Sequence, residues 1–221
     1  MSQVRGRIAE IFASLQGEGV TAGLPSLFVR LQGCSVGCVW CDTKYSWDPT
    51  KGELLSPQAI LEEAALSDLQ NVVLTGGEPL ESPLFSLLVS ALKAQGYRIE
   101  VETAGVLEPP DLPVDQWNVS IKLAHSGVPE ELRISPKAIH AFVTRDAWFK
   151  FVVAQPEDVE EVLELQNRFS LPQKRILLMP EGIERETLIE RSRWVWEACR
   201  SHGFRFSPRL HILLFGAKRG V

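Results

Sequence analysis

Three cysteines within eight residues are the most reactive group of side chains in this chain. Cys34, Cys38 and Cys41 form a CxxxCxxC loop, whereas Cys199 lies far away in a segment with helical periodicity. A structural zinc ion needs four ligands, and a redox CxxC pair leaves Cys34 without a role. A cubane iron–sulfur cluster fits better, because three thiolates leave one iron free to bind another molecule. The loop favours such a cluster, with zinc as the alternative.

Other polar residues follow apolar runs of the chain, at the points where strands are expected to end. They are Thr75 to Glu78, Glu102 to Gly105, Lys122, and Pro180 to Gly182. The carboxyl ends of parallel strands meet at one edge of a sheet, where α/β enzymes place their active sites. The cysteine loop follows the first apolar run and falls at the same edge. The pattern predicts one site built from five loops.

Alternating strand and helix signals predict the elements that position these residues. Ser56, Ser82 and Ser135 each precede a proline, which is typical of a helix start. Between the helical segments lie six apolar runs, at residues 26–31, 71–75, 98–102, 118–123, 149–153 and 175–179. Repeated strand and helix segments indicate a parallel sheet covered by helices. We expect an α/β fold, an incomplete parallel (β/α) barrel of about six strands, in a single domain over residues 1–221.

The bulk composition excludes several classes of protein. The chain has 221 residues, of which 45% are hydrophobic, and a formal net charge of −5. It shows no broad basic face, so we expect no nucleic-acid partner. The N-terminal residues lack a signal-peptide core and no apolar run reaches the length of a membrane span. We expect no membrane partner and a cytoplasmic location, where clustered cysteines bind metals more often than they form disulfides.

The cysteine loop and a second motif together resemble the radical S-adenosylmethionine (SAM) superfamily. Trp40 supplies an aromatic residue before the last cysteine, and Thr75 to Pro79 is similar to the GGEP motif of that superfamily. Further motifs resemble the 7-carboxy-7-deazaguanine synthase family, namely Ser14 to Gly19, Phe28 to Cys34, Cys41 to Thr43 and Arg209 to Val221. The resemblance runs from residue 10 to the end of the chain.

The resemblance implies an enzyme that converts 6-carboxy-5,6,7,8-tetrahydropterin to 7-carboxy-7-deazaguanine with release of ammonia, on the route to queuosine and related deazapurines. It implies a 4Fe–4S cluster on Cys34, Cys38 and Cys41, SAM on the open iron, and Mg²⁺ on Thr43. It also implies a reducing partner such as flavodoxin or ferredoxin, and a homodimer. Two alternatives stay open, an activase of glycyl-radical enzymes and a non-catalytic iron–sulfur or zinc-binding module.

Particular residues take roles from the same resemblance. Those expected to contact SAM are Trp40, Gly77, Glu78, Glu102, Ser120, Ile121, Lys122, Met179, Pro180, Glu181 and Gly182. Those expected to contact the pterin are Leu15, Gln16, Gly17, Glu18, Arg30, Thr75, His211 and the carboxylate of Val221. The chain departs from the family twice, with Ile121 at a proline position and Met179 at a glutamine position.

Two of these expectations also have a physical basis in the sequence. Arg30 interrupts the apolar run FVRLQG, and a buried arginine needs an anionic partner. We expect that partner to be the substrate carboxylate. The apolar run from His211 to Phe215 would carry the C-terminal tail toward the core. We expect the tail to fold back over the strand ends, so that His211 and the terminal carboxylate face the substrate.

Overall fold

A computed structural model describes residues 4–221 of the chain and contains one sheet of nine strands. The strands are β1 (Gly6–Leu15), β2 (Pro25–Leu31), β3 (Glu53–Leu55), β4 (Asn71–Gly76), β5 (Arg98–Thr103), β6 (Gln116–Val119), β7 (Trp148–Val153), β8 (Ile176–Pro180) and β9 (Arg205–Phe206). Their order in the sheet is β3-β1-β2-β4-β5-β6-β7-β8-β9. All neighbours from β2 to β9 are parallel, and β1 is antiparallel to both β2 and β3.

This arrangement confirms the predicted α/β fold with an incomplete parallel barrel. The six predicted strands correspond to β2 and to β4 through β8. Strand β3 lies at one edge of the sheet and β9 at the other, and among the described residues no pairing between them closes the barrel. The sequence reasoning missed β1, β3 and β9. The last two contain only three and two residues, which is too short to give a periodic signal.

The fourth predicted strand is wrong in its bounds. Residues 118–123 were expected to form it, but β6 ends at Val119. The backbone leaves the sheet because side chains from helices hold it elsewhere. Arg133 donates to the carbonyl of Lys122 at 2.8 Å, and the Glu161 carboxylate accepts from the amide of Ala124 at 2.8 Å. The segment after Val119 is therefore a loop at the strand end.

Seven helices are found among the described residues, most of them in the connections between strands. They are α1 (Pro57–Ser67), α2 (Phe85–Ala94), α3 (Glu130–Arg133), α4 (Pro136–Val143), α5 (Asp158–Phe169), α6 (Arg185–His202) and α7 (Leu210–Phe215). Ser56 caps α1 as predicted, since its hydroxyl accepts from the amide of Ala59 at 3.2 Å. Ser82 does not cap α2, which begins only at Phe85.

Alternation along the strands separates a core face from a site face. In β7 the core face carries Phe149 and Phe151, which are fully buried in the main apolar cluster with residues of the helices. Lys150 and Val152 point the other way and line a cavity. Strand β2 behaves alike, with Val29 in the core and Phe28 and Arg30 at the cavity. The period of two thus places polar side chains on the side opposite the helices.

Candidate active site

Most of the predicted site residues lie around one cavity of about 270 Å³. The lining includes Leu15, Gln16, Gly17, Glu18, Arg30, Cys34, Cys38, Trp40, Cys41, Thr43, Thr75, Gly77, Glu102, Ser120, Lys122, Met179, Glu181, His211 and Val221. Four predicted residues are not part of the lining, namely Glu78, Ile121, Pro180 and Gly182. The loops after the parallel strands thus converge as the sequence pattern indicated.

The cysteine loop forms one end of the cavity. Cys34, Cys38 and Cys41 are free thiols, and an apolar cluster that includes Val36 and Ala104 surrounds them. Burial raises the pKa of Cys34, and it also raises the pKa of Cys38, although Lys122 acts in the opposite direction. Such thiols are neutral by themselves and become thiolates when a metal displaces the proton.

The thiols do not converge on a single point. Within residues 4–221, no three His, Cys, Asp or Glu side chains are placed to hold one metal ion. In a cubane each protein thiolate binds a different iron, so the three sulfurs stand apart. The loop therefore has the donors, the spacing and the apolar surroundings of a cluster site.

Close backbone contact joins the end of β4 to the cysteine loop. A Cβ atom on Gly77 would lie 2.1 Å from the carbonyl oxygen of Gly33 and 2.5 Å from the Cβ of Cys34. The amide of Glu78 also donates to that carbonyl at 2.8 Å. Only glycine fits at position 77, and the two loops are fixed relative to each other.

Glu78 itself lies beneath the cavity wall, where its side chain is already fully engaged. It is 1% exposed, and its carboxylate accepts from the hydroxyl of Thr103 and the amide of Ala104, each at 2.7 Å, and from the amide of Leu80 at 3.2 Å. Burial raises its pKa despite these donors. Glu78 therefore supports the wall of the cavity, and its expected direct contact with SAM stays a prediction.

Trp40 and Lys122 form the wall next to the thiols. The Trp40 ring stacks on His125 with centroids 5.7 Å apart, and the Lys122 ammonium lies 5.7 Å from the indole centroid. Lys122 also donates to the hydroxyl of Ser120 at 2.9 Å. The indole N–H of Trp40 is buried and has no hydrogen-bond acceptor within residues 4–221. A buried donor without an acceptor at a cavity wall fits a polar ligand there.

The segment from Ser120 to Lys122 keeps its expected position despite the family's proline being replaced. Ile121 is 1% exposed and packs in the main core, so it supports the segment from below. Arg133 holds the carbonyl of Lys122 from α3. Met179 lines the cavity at the end of β8, whereas Pro180 and Gly182 do not.

A buried ionic network forms another part of the cavity lining. Lys150 lies between two carboxylates, at 2.7 Å from Glu18 and 2.8 Å from Glu102. Arg209 adds a second cation 3.1 Å from Glu18. Burial acts to raise the pKa of Glu18, but Lys150, Arg209 and His211 hold it far below its ordinary value. Burial raises the pKa of Glu102, which lies beside Glu100 and Glu18.

The side chain of Gln16 lines the cavity and is also bonded within the protein. Its amide nitrogen donates to Glu100 at 3.0 Å, and its amide oxygen accepts from the amide of Glu18 at 3.3 Å. In the Gln16 backbone, the amide donates to the carbonyl of Leu24 at 2.9 Å and the carbonyl accepts from the amide of Gly23 at 2.7 Å. These bonds shape the β1–β2 turn, and the expected contact of Gln16 with the pterin edge stays a prediction.

Arg30 has a protein partner that the sequence did not indicate, and its expected contact with the substrate carboxylate stays a prediction. Its Nε lies 2.7 Å from Glu10, the residue opposite it on β1. The hydroxyl of Tyr45 donates to the same carboxylate at 2.5 Å. Burial raises the pKa of Tyr45 to about 12. Arg30 still lines the cavity.

Thr43 lies at the cavity two residues after the last cysteine of the loop. Its hydroxyl is 3.5 Å from the sulfur of Cys41, and it makes no cap bond to the 3₁₀ turn that follows. The side chain of Thr43 therefore does not cap that turn.

The C-terminal tail folds back over the strand ends, as the sequence indicated. Residues 217–221 and His211 line the cavity. A Cβ atom on Gly17 would lie 2.2 Å from Nδ1 of His211, so the imidazole packs directly on that backbone. Burial lowers the pKa of His211. The guanidinium of Arg219 lies 3.6 Å from the ring centroid of Tyr45 and holds the tail there.

Comparison with known proteins identifies the family. Residues 28–189 match the model of the radical SAM superfamily. A 7-carboxy-7-deazaguanine synthase from Pyrobaculum aerophilum is 45% identical over 98% of this chain and 97% of its own length. The Escherichia coli synthase is 30% identical over 94% of this chain and 97% of its own length. The chain belongs to the 7-carboxy-7-deazaguanine synthase family.

Solved structures agree with this assignment. The crystal structure of QueE from Escherichia coli superposes with a TM-score of 0.77 at 29% identity, covering 94% of this chain and 95% of that one. Streptococcus suis SuiB bound to S-adenosylmethionine has a TM-score of 0.57 at 14% identity, covering 79% of this chain and 48% of that one. The second likeness shows the fold alone.

Membership of the superfamily implies a 4Fe–4S cluster and SAM as cofactors, a small-molecule substrate and a source of electrons. The full-length relatives give no support to the activase or to a non-catalytic module. Among the described residues, no helix is both long and apolar enough to cross a membrane.

Sequence reasoning missed several charged residues that the structure brings to the site. They are Glu10, Asp42, Lys150, Arg209 and Arg219. A signal existed for Lys150, because it interrupts the apolar run FKFVV just as Arg30 interrupts FVRLQG. No sequence signal marks Arg209 or Glu10, since their importance depends on partners brought close only by folding.

Proposed function

We propose that the chain converts 6-carboxy-5,6,7,8-tetrahydropterin to 7-carboxy-7-deazaguanine and ammonia, as a step toward queuosine and other deazapurines. The observation that carries this proposal is that one cavity is lined by two chemically different groups of side chains. The first is three thiols in apolar surroundings, and the second is a buried network of Glu18, Glu102 and Lys150. The first suits a radical-generating cofactor, and the second suits a polar heterocycle.

Cys34, Cys38 and Cys41 would hold the cluster, with SAM on the iron that no thiolate occupies. The bound pair supplies a reactive radical by reductive cleavage of SAM. Trp40, Gly77, Ser120 and Lys122 lie on the wall next to the thiols and would orient SAM. Trp40 offers its unpaired N–H, and the backbone of Gly77 lies within contact of the cysteine loop. Glu102, Met179 and Glu181 also line the cavity and would contact SAM as well.

The buried ionic network of the cavity would bind the pterin. An aminopyrimidine ring presents N–H donors, and carboxylates are acceptors only. Glu18 keeps its charge at neutral pH because Lys150 and Arg209 lower its pKa, so it can accept from such a ring. Leu15, Gly17, Thr75, His211 and the terminal carboxylate of Val221 complete this part of the lining.

The carboxylate of the pterin would lie near positively charged side chains of the cavity lining. Arg30 and Lys122 are two cations of the cavity lining, and Glu10 already neutralises Arg30 in part. A magnesium ion on Thr43 would supply the missing positive charge. Mg²⁺ keeps several water ligands and binds few protein groups, so one hydroxyl and the substrate oxygens suffice. Thr43 lines the cavity and its hydroxyl makes no cap bond, which supports this assignment.

The proposal extends to the partners of the enzyme. Ser35, Gly37 and Val39 of the cysteine loop are exposed, which gives an electron donor such as flavodoxin or ferredoxin a short path to the cluster. Reduced thiols and such donors fit a cytoplasmic location. We also propose a homodimer, on the resemblance to the family alone, and no nucleic-acid partner, since the net charge is −5.

Anaerobic incubation of reconstituted enzyme with SAM, a reductant, Mg²⁺ and the carboxytetrahydropterin tests the function. We expect 7-carboxy-7-deazaguanine and ammonia in equal amounts, with no product when SAM is omitted. Metal analysis of the same sample should give about four irons per chain. SAM cleavage without conversion of the pterin would contradict the substrate, and zinc in place of iron would contradict the cofactor.

A further inference from the structure

Arg209 is a buried cation that contacts three separate loops of the site. It is 7% exposed and stands immediately before α7. Its Nε lies 3.1 Å from Glu18, its Nη1 donates to the carbonyl of Gly182 at 2.5 Å, and its Nη2 donates to Asp42. Each nitrogen of the guanidinium is thus directed to a different segment of the chain.

Each of these three partners lies next to a part of the site. Asp42 stands between the cysteine Cys41 and the proposed magnesium ligand Thr43. Glu18 belongs to the β1–β2 turn and is held by Lys150 on its other side. Gly182 follows the cavity residue Glu181 at the end of β8.

The contact of Arg209 with α7 extends to the tail. The amide of Leu210 donates to the carbonyl of Gly17 at 2.9 Å, and His211 packs on the Gly17 backbone. The first turn of α7 is therefore fixed at the same place where Arg209 holds Glu18. The helix leads directly into residues 217–221, which form part of the cavity wall.

Only arginine can make this set of contacts. A planar guanidinium presents five N–H donors in fixed directions, whereas a lysine ammonium is a single point charge. Burial acts to lower the pKa of Arg209, but Glu18 and Asp42 raise it, so the side chain remains a cation. Its two anionic partners balance that charge within the wall of the cavity.

We propose that Arg209 is a positioning residue that locks α7 and the C-terminal tail to the cysteine loop through Asp42. The tail then keeps its place over the cavity only while the cysteine loop keeps its own. The arrangement of the tail depends in this way on a residue 167 positions earlier in the chain. The inference rests on the proposed function only for what the tail contacts.

Hydrogen exchange of the purified chain tests the lock without substrate or cofactors. Asp42→Asn removes the negative partner, and Arg209→Lys removes the fork that joins the loops. A charge-assisted bond of this kind contributes enough that we expect about ten- to a hundred-fold faster exchange over residues 210–221 in either variant. Arg168→Lys is the control, because Arg168 pairs with Glu130 at an exposed site and should leave the tail unchanged.

The combined variant separates a lock from two local effects. If Arg209 and Asp42 act through each other, Asp42→Asn together with Arg209→Lys should exchange no faster than the more affected single variant. Tail exchange at the rate of the unmodified chain in Asp42→Asn, or additive effects in the combined variant, would overturn the proposal.

Turnover gives a second measurement on the loaded enzyme. Arg209→Lys should raise the KM for the pterin about ten-fold and raise the ratio of 5′-deoxyadenosine to product, because the tail no longer closes the cavity. Arg168→Lys is again the control, and it should keep the iron content, the KM and the ratio of the unmodified enzyme. An unchanged KM and ratio in Arg209→Lys would contradict the lock. If the unmodified enzyme does not convert the pterin, the proposed function fails, and the exchange measurement still decides on Arg209.

Discussion

Replacing Lys150 by methionine should destabilise the chain more than any single loss of a surface cation. Lys150 is 4% exposed and lies within 2.8 Å of both Glu18 and Glu102. Glu18 keeps Arg209 as a partner, but Glu102 loses its ammonium and stays beside Glu100. Breaking a buried ion pair in this way costs about 3–5 kcal/mol. For a chain of this length, that corresponds to a fall in Tm of roughly 6–20 °C.

The pH dependence of the loss follows from Glu102. Burial already raises its pKa, and removal of Lys150 raises it further. A carboxyl group whose pKa is raised by folding stabilises the folded state when it is protonated, and this contribution is lost as the pH rises through the folded pKa. The deficit of the Lys150→Met variant should therefore shrink as the pH falls from neutral to about 5.5. Adding Glu102→Gln should recover most of it at neutral pH.

Urea unfolding under anaerobic conditions measures these free energies directly. Lys137→Met is a matched control, because Lys137 is 81% exposed and its pair with Glu108 is screened by solvent, so little change is expected. The reasoning fails if Lys150→Met costs no more than Lys137→Met, or if Glu102→Gln deepens the loss.

Three further predictions concern the cluster, the metal and the tail. Cys38→Ala should abolish iron–sulfur absorbance and SAM cleavage, whereas Cys199→Ala should keep both, because Cys199 is buried away from the cavity with a pKa raised to about 11 by burial; an active Cys38→Ala enzyme would contradict the cluster assignment. Thr43→Ala should keep the cluster and SAM binding but lower turnover and weaken its dependence on Mg²⁺, and an unchanged magnesium titration would show a different ligand. Deleting residues 220–221 should raise the KM for the pterin about ten- to a hundred-fold, because a buried donor would lose a charged acceptor worth about 1.5–3 kcal/mol. The rate of SAM cleavage without substrate should stay the same. Equal KM values for the two proteins would place the terminus outside the substrate site.

Local patterns predicted the parallel strands because each one carries its own signal. The runs that became β2, β7 and β8 are rich in Val, Ile, Leu and Phe and stand between helix starts. Their ends also placed the cysteine loop and Gly77 at one cavity, because parallel strands share a direction. The antiparallel strand β1 was not predicted, so the contacts that its side chains make with β2 were not predicted either.

The main features that the sequence could not predict are the pairs of side chains on neighbouring strands. The sequence shows that Arg30 needs an anion, but only the register of β1 against β2 shows that Glu10 provides it. Gln16 was expected to contact the substrate, and only the structure shows that its amide nitrogen also donates to Glu100. Such pairings depend on long-range geometry, which no local pattern contains.

The contact between Gly77 and the cysteine loop has a consequence for the life of the cofactor. Backbone hydrogen bonds from Gly77 to Leu31 and from Glu78 to Gly33 hold the loop without any help from iron. The core beneath it, including Leu31 and Leu74, is fully buried by protein atoms alone. A zinc finger unfolds when its metal leaves, because the metal supplies most of its folding free energy. Because protein atoms alone make these contacts here, we expect the chain to stay folded when an oxidised cluster is lost, so that a new cluster can be assembled on it.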